Sequence, residues 1–226
     1  MSSTSKRAYG QFCPVARALD LVGDRWTLLI ARDLILGPKR YTDLRKGLPG
    51  IASDLLTARL RGLEAAGFVQ RRTLPPPAPA TVYELAERGW SLARVVETLG
   101  RFGLPYVGDA VFDEGATVDR LVLALIPCFQ EDAVPGLDET YELELAGQAF
   151  RVAVKAGAVE VAHGAAPGAA LKLSTDPATL VGLLRREISP SEAAAAGNLA
   201  AEGADQALER FLTAFAWPPR EALIPA

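Results

Sequence analysis

The sequence predicts an α+β protein of two domains, a helical N-terminal domain with a short hairpin and a C-terminal domain of strands and helices. Apolar residues recur at helical spacing in the front half and mostly alternate in the rear half. Residues 1–105 carry 16 Lys and Arg against 9 Asp and Glu, a net charge of +7, whereas residues 106–226 carry 8 against 18, a net charge of −10. This asymmetry indicates domains at 1–108 and 109–226 with different partners.

Bulk composition favours a folded cytoplasmic protein. Half of the 226 residues are hydrophobic and 23% are charged, which allows a sizeable core and argues against disorder. No apolar run opens the chain, so no signal peptide is expected. The longest apolar stretch, 121–129, is far short of the roughly 20 residues that span a bilayer. Two cysteines, Cys13 and Cys128, make no disulfide framework.

The front half is expected to hold five helices and one hairpin after a frayed tail at 1–12. Gly and Pro residues separate these elements and end the helices. The predicted helices are 14–21, 25–36, 41–46, 53–66 and 87–102, and the predicted strands are 68–74 and 81–85, joined by a Pro-rich loop at 75–80. This order is that of a winged helix, and the third and fourth helices would form its helix-turn-helix.

The fourth helix carries the strongest functional signal. Leu56, Leu60 and Leu63 recur at i, i+4 and i+7 and predict a buried seam. Side chains opposite such a seam can reach base edges in the major groove, and a neighbouring hairpin can meet phosphates. The predicted DNA contacts are Ser53, Asp54, Thr57, Ala58, Arg59, Arg61, Arg71 and Arg72. The alternative is a solvated basic surface and, for Arg59, which lies nearer the seam, a structural salt bridge.

A series of motifs in the front half resembles HxlR-type regulators. The motifs are CPVAR at 13–17, LVGDRWTLLI at 21–30, RYTDL at 40–44, PGI at 49–51, LLTARLRGLEAAG at 55–67 and VYEL at 82–85, followed by Gly89. The resemblance implies a homodimeric transcriptional regulator on a near-palindromic double-stranded DNA operator, here predicted to be a repressor, with dimer contacts from the first and last helices of this domain. That family usually has Arg just before the return strand, where this chain has Ala80.

Two further features of the front half suggest specific roles. The last helix carries more apolar residues than one face needs: Trp90, Leu92, Val95, Val96, Leu99 and Phe102. The excess predicts a dimer contact. Cys13, at a helix start, is a candidate redox sensor because a helix dipole lowers a thiol pKa, and some HxlR-type proteins sense oxidants near this position. The alternative for Cys13 is simple packing.

The rear half is expected to hold an antiparallel meander and then helices. After a linker at 108–115, residues 118–126 are interpreted as a buried strand, and alternation predicts strands around 141–145, 150–154, 159–161 and 171–173. Helix start signals follow at 175–177 and in the capping box of Ser189 and Glu192. A strand-like segment at 199–202 and a final amphipathic helix at 205–215 complete the prediction.

The rear half also resembles the sterol carrier protein type two fold. The matching segments are 171–176 (LKLSTD), 180–184, 189–190, 192–193, 197–199 (GNL) and 202–203. One position differs, because Arg186 stands where that family often has Gly. The resemblance implies a shell of sheet and helices around an apolar cavity for a small apolar ligand. Its predicted lining residues are Phe150, Val152, Leu180, Leu183 and Phe211. The alternative is that these five side chains simply fill the core.

Catalytic and metal chemistry find no support in the sequence. No P-loop, GxSxG or dinucleotide-binding motif is present, and His163 is the only histidine. We therefore expect no enzymatic activity, no metal and no cofactor. Three functions stay open: a DNA-binding regulator with a ligand-sensing rear domain, the same regulator with a purely structural rear domain, and a small-molecule carrier.

Overall fold

Both halves of the chain form the class of structure that their periodicity predicts, so the α+β prediction is confirmed. The computed structural model describes residues 8–75, 79–107, 118–204 and 206–218. It divides the chain into two units, Met1–Val96 and Glu97–Ala226. The linker predicted at 108–115 and the domain boundary at 108 lie outside the described residues, as do the tip of the Pro-rich loop at 76–78 and the start of the tail at 1–7.

The first unit is a helical domain edged by a small antiparallel sheet. Its elements are α1 (Pro14–Val22), α2 (Thr27–Leu34), β1 (Lys39–Arg40), α3 (Tyr41–Gly47), α4 (Ser53–Ala65), β2 (Val69–Thr73) and β3 (Thr81–Leu85), followed by α5 (Trp90–Gly103), which continues into the second unit. The strand order is β1-β3-β2. The two-residue β1 was not predicted, since so short a strand leaves no alternation to detect.

The core of the first unit confirms the predicted seam of α4. Leu56, Leu60 and Leu63 are buried together with Ile30 and Leu34 of α2. Burial of large aliphatic side chains is the main stabilising contribution, about 1.5–3 kcal/mol for each. The seam therefore fixes which face of α4 remains in solvent.

The second unit packs helices against a five-stranded mixed sheet. Its helices are α6 (Val118–Cys128), α7 (Pro177–Leu184), α8 (Pro190–Ala195) and α9 (Ala207–Ala214), and its strands are β4 (Glu139–Leu145), β5 (Gln148–Lys155), β6 (Ala158–His163), β7 (Leu171–Thr175) and β8 (Leu199–Gly203). The strand order is β6-β5-β4-β7-β8. Tyr141, Leu143, Phe150, Val152 and Leu173 are fully buried on one face of this sheet.

The buried strand predicted at 118–126 is wrong, because this segment is α6. Leu121, Val122, Leu125 and Cys128 are buried at i, i+1, i+4 and i+7, which is the spacing of a helix. A short continuous apolar run fits a buried strand and a buried helix equally well by periodicity alone. The segment lies against β6 in the tertiary structure, and this packing decides in favour of the helix.

The antiparallel meander is confirmed for β4–β6 but wrong for β7. The strand β7 pairs in parallel with β4, in the register Tyr141↔Leu171 and Leu143↔Leu173. The connection before β7 is held by the buried Glu142, which accepts a hydrogen bond of 2.6 Å from the Ala166 N–H. Alternation reveals which face of a strand is buried but not which strand becomes its neighbour.

The backbone at Arg186 explains why glycine suits this position in the sterol carrier fold. Arg186 has φ +57°, in the left-handed region that glycine adopts without steric cost. It follows the end of α7, where such a residue commonly terminates a helix. Its guanidinium donates to the Leu212 carbonyl oxygen at 3.3 Å, a contact that glycine would lack.

Candidate nucleic-acid interface

The start of α4 is fastened to α3 by hydrogen bonds. The Tyr41 hydroxyl donates to the Ser53 carbonyl oxygen at 2.7 Å, and the Thr57 hydroxyl donates to the same oxygen at 2.9 Å. Arg45 reaches the Ser53 side chain from α3, with Nη1 3.5 Å from Oγ. These contacts orient the first turn of α4, where the predicted DNA contacts begin.

The exposed face of α4 carries five of the eight predicted DNA contacts. Ser53, Asp54, Ala58 and Arg61 are exposed, and Thr57 is half-buried. Within the described part of the chain, the Arg61 guanidinium makes no ion pair or hydrogen bond. It is therefore an exposed cation on the face opposite the leucine seam, as the sequence predicts.

Arg59 lies to the side of this face and forms a structural ion pair. Its Nη1 lies 2.5 Å from Oδ2 of Asp24, and both side chains are 30% exposed. The salt bridge that the sequence left open for Arg59 is therefore present. A DNA contact by Arg59 stays a prediction.

Both arginines of the hairpin are held by carboxylates. Arg71 Nε lies 2.7 Å from Oε1 of Glu64 in α4. Arg72 forms a fork with Glu84 of β3, with Nε 3.1 Å from each carboxylate oxygen and Nη2 3.0 Å from Oε2. The Arg72 and Gln70 hydrogen bonds hold the pKa of Glu84 below its ordinary value. The hairpin cations are thus present as predicted, but each already has an anionic partner.

The structure adds α3 residues that the sequence reasoning missed. Tyr41 and Arg45 contact the start of α4, and the exposed Lys46 follows them in the last turn of α3. The signal was present in the basic residues of the segment RYTDLRKG at 40–47.

Two helices expose apolar stripes. In and just before α1 the exposed side chains are those of Phe12, Val15 and Leu19, and in α5 they are those of Trp90, Val95, Leu99 and Phe102. The predicted excess of apolar residues on α5 is therefore at the surface, except for two side chains. Leu92 is buried and Val96 is half-buried against the core of the first unit.

The cysteines differ in environment. Cys13 is half-buried at the residue before α1, and both cysteines are free thiols. Cys128 is fully buried, and burial raises its pKa to about 12. Cys128 is therefore an inert core residue, whereas a redox role for Cys13 stays a prediction.

The five predicted ligand-lining residues all lie in the interior of the second unit. Phe150, Val152, Leu180, Leu183 and Phe211 are at most 2% exposed. The Phe211 ring lies 5.2 Å from Tyr141 and 4.9 Å from Phe215, centroid to centroid. Such burial is compatible both with a filled core and with the wall of a cavity, so the ligand role of these residues stays a prediction.

Neither a metal-binding cluster nor a membrane-spanning helix is present in the described residues. Across residues 8–75, 79–107, 118–204 and 206–218, no group of three His, Cys, Asp or Glu side chains is arranged to hold a metal ion. Of the helices in these ranges, none combines the length and the apolar character that crossing a membrane requires.

Comparison with known proteins agrees with both halves of this structure. Residues 21–110 match the HxlR-like helix-turn-helix family, and residues 126–214 match the SCP-2 sterol transfer family. The chain is 33% identical to the HTH-type transcriptional regulator YodB of Bacillus subtilis over 105 residues, which cover 45% of this chain and 94% of YodB. It is 35% identical to the HTH-type transcriptional regulator YdeP of the same organism over 94 residues, 42% of this chain and 73% of YdeP.

The chain is also similar to one more curated relative and to one solved structure. An HTH-type transcriptional regulator of Synechocystis is 34% identical over 94 residues, 42% of this chain and 70% of the relative. A solved structure of reduced YodB covers 46% of this chain and all of YodB at 31% identity, with a TM-score of 0.38. By its identity to the curated regulators and by the two family matches, the chain belongs to the HxlR-like helix-turn-helix family of DNA-binding transcriptional regulators and carries a C-terminal domain of the SCP-2 sterol transfer family.

Proposed function

We propose that this regulator is a cytoplasmic homodimeric repressor of a near-palindromic operator, and that its C-terminal domain senses a small apolar ligand. The observation that carries the DNA-binding mode is the exposed face of α4 with Arg61 upon it. A helix of this kind enters the major groove, where Arg reads guanine edges. Repression is the simplest outcome, because a dimer bound at a promoter blocks polymerase.

The apolar stripes support the homodimer. The Phe12, Val15 and Leu19 side chains in and before α1, and Leu99 and Phe102 of α5, would lose contact with water in a two-fold interface. Two-fold symmetry in the protein requires matching symmetry in the operator, hence the near-palindrome.

Ligand sensing is supported by the second domain itself. A regulator needs only its winged helix to bind DNA, yet this chain adds a domain that matches the SCP-2 sterol transfer family at residues 126–214. For a ligand to change DNA affinity, it must bind one arrangement of the dimer more tightly than another. The ligand class we propose is a small apolar molecule, for which palmitate serves as a test compound, and we propose no enzymatic activity.

A second candidate role for the C-terminal domain is support of α5. The last turns of α5 belong to the second unit, where the Arg101 guanidinium donates to the Phe129 carbonyl oxygen at 3.2 Å. Gly100 lies against Pro127 so closely that a Cβ would come within 3.3 Å of the proline ring. These contacts favour a domain that braces the proposed dimer helix even without a ligand.

DNA binding is tested by fluorescence anisotropy with duplex DNA from upstream of the regulator's own gene. Affinity should fall steeply between low and physiological salt, because phosphate contacts release counterions. Absence of binding at both salt concentrations would contradict the proposed DNA-binding mode.

The two roles of the C-terminal domain are separated in the full-length protein. Sensing predicts that palmitate raises the melting temperature and changes DNA affinity. Bracing predicts no effect of palmitate, but a weaker dimer in Arg101→Ala. Deleting the chain after residue 108 is a poorer test, since it removes Pro127 and Phe129 from the end of α5.

A further inference from the structure

The hairpin of this regulator is close to electrically neutral as it stands. Between Val69 and Leu85 the sequence contains two cations, Arg71 and Arg72, and one acid, Glu84. A second acid, Glu64, belongs to α4 and forms an ion pair with Arg71 of the hairpin. Both cations that the hairpin offers to DNA are therefore bound to carboxylates in the same domain.

The Arg72 pair engages the donors that a phosphate would use. Glu84 accepts from Nε and Nη2, one of the two edges through which a guanidinium binds carboxylate or phosphate in a bidentate manner. Gln70 holds Glu84 from the other side, with Nε2 2.9 Å from Oε1. The Arg72 side chain is 48% exposed and that of Glu84 is 17% exposed, so the arginine is accessible while the acid is fixed beneath it.

We propose that Glu84, and secondarily Glu64, compete with DNA phosphates for the hairpin arginines and thereby limit the affinity of this regulator for duplex DNA. The proposal rests on the proposed role of the hairpin as a phosphate-contacting element. A phosphate that approaches Arg72 must displace Glu84 or lie close to its negative charge. In both cases the favourable free energy of the contact between Arg72 and the phosphate is reduced. The carboxylates act on all sequences alike, because phosphates carry no base identity.

The lowered pKa of Glu84 means that it stays ionised throughout the neutral range. Exposed ion pairs are weak in water, so the Arg72 pair opens at a modest cost. Glu84 and Glu64 therefore reduce DNA affinity without abolishing binding, and substitutions that neutralise them should increase the affinity.

The test is Glu84→Gln, which keeps the shape of the side chain and removes its charge. Binding of the full-length protein to a fluorescein-labelled duplex of random sequence is measured over a series of salt concentrations. We expect affinity to rise about three- to tenfold, and the slope of log affinity against log salt to steepen by at most about 0.9, the value for one full phosphate contact, because Glu84 weakens the Arg72 contact in the wild type without abolishing it. Glu64→Gln should give a smaller rise and tests the second pair independently.

The matched control is Glu87→Gln, which removes the same charge from an exposed residue just after β3 that makes no ion pair in the described part of the chain. Arg72→Ala in the Glu84→Gln background should cancel the increase in DNA affinity, because that increase depends on the Arg72 side chain. A Glu84→Gln protein that binds no more tightly than Glu87→Gln, or more weakly at an unchanged melting temperature, would overturn the proposal. Wild-type protein that binds no duplex at any salt would instead remove the proposed function on which it rests.

Discussion

Arg59 of α4 and Asp24, just before α2, form an ion pair of 2.5 Å in which both side chains are 30% exposed. The pair joins the flank of the proposed recognition helix to the entry of the helix that packs beneath it. Although Arg59 stands two residues from Arg61 in the sequence, the two arginines therefore have different surroundings.

Arg59→Ala should destabilise the first domain while leaving base preference intact. Removing the cation leaves Asp24 half-buried without this partner, which costs about 1–2 kcal/mol, between the values for exposed and buried pairs. Chemical denaturation gives the free energy of unfolding, with Arg61→Ala as the control that should leave it unchanged. An Arg59→Ala protein of wild-type stability that has lost its operator preference would show that Arg59 reads DNA.

Arg61→Ala should weaken operator binding by about 1–3 kcal/mol and affect random DNA little, because Arg61 lies on the exposed face of α4. Arg71→Ala and Arg72→Ala should weaken binding to both kinds of DNA alike, because the hairpin meets phosphates. Anisotropy with operator and random duplexes measures both effects. Equal losses of Arg61→Ala on the two duplexes would rule out base reading by this residue.

Leu99→Glu should shift the protein from dimer to monomer at micromolar concentration, because Leu99 is 52% exposed on the apolar stripe of α5. Phe12→Glu, just before α1, should do the same. Sedimentation velocity gives the oligomeric state, and Ala194→Glu, on the exposed surface of α8, is the charge-matched control. Val96 is unsuitable for this test, since its contact with the core of the first unit would confuse unfolding with dissociation. A Leu99→Glu protein that remains dimeric would exclude α5 from the interface.

The second domain should lose stability on acidification through Glu142 and Glu192. Hydrogen bonds from the Ala166 N–H to Glu142 and from the Ser189 N–H to Glu192 hold both pKa values below the ordinary glutamate value. Stability from a carboxyl with a depressed folded pKa is complete above the unfolded pKa and is lost as pH falls through the folded pKa. Thermal melts from neutral pH down through the carboxyl range should show this loss.

Two matched variants test whether the loss of stability at low pH comes from the Glu142 carboxylate. Glu142→Gln should melt at a lower temperature at neutral pH and show a shallower dependence on pH below it. Glu160→Gln, at an exposed position in β6, should leave the profile unchanged. If Glu142→Gln follows the wild-type profile at every pH, the carboxylate of Glu142 contributes nothing to the acid transition.

Local patterns predicted most of the elements and the face of α4 that meets solvent. The leucine seam, the glycines and prolines between elements and the capping box at Ser189 act over a few residues, so they are legible in the chain itself. The same holds for the alternation in β4–β6 and for the charge asymmetry between the two halves. Motif order likewise sufficed to indicate both families.

Only the tertiary structure decided matters that depend on which segments meet. The segment predicted as a strand at 118–126 became a helix through packing on β6, and β7 became parallel to β4 through a connection held by Glu142. In the DNA-binding domain, Asp24 and Glu84 lie 35 and 12 residues along the chain from the arginines they bind. Periodicity reports burial and exposure, whereas ion pairing depends on distances between side chains that are remote in sequence, and these exist only in the folded chain.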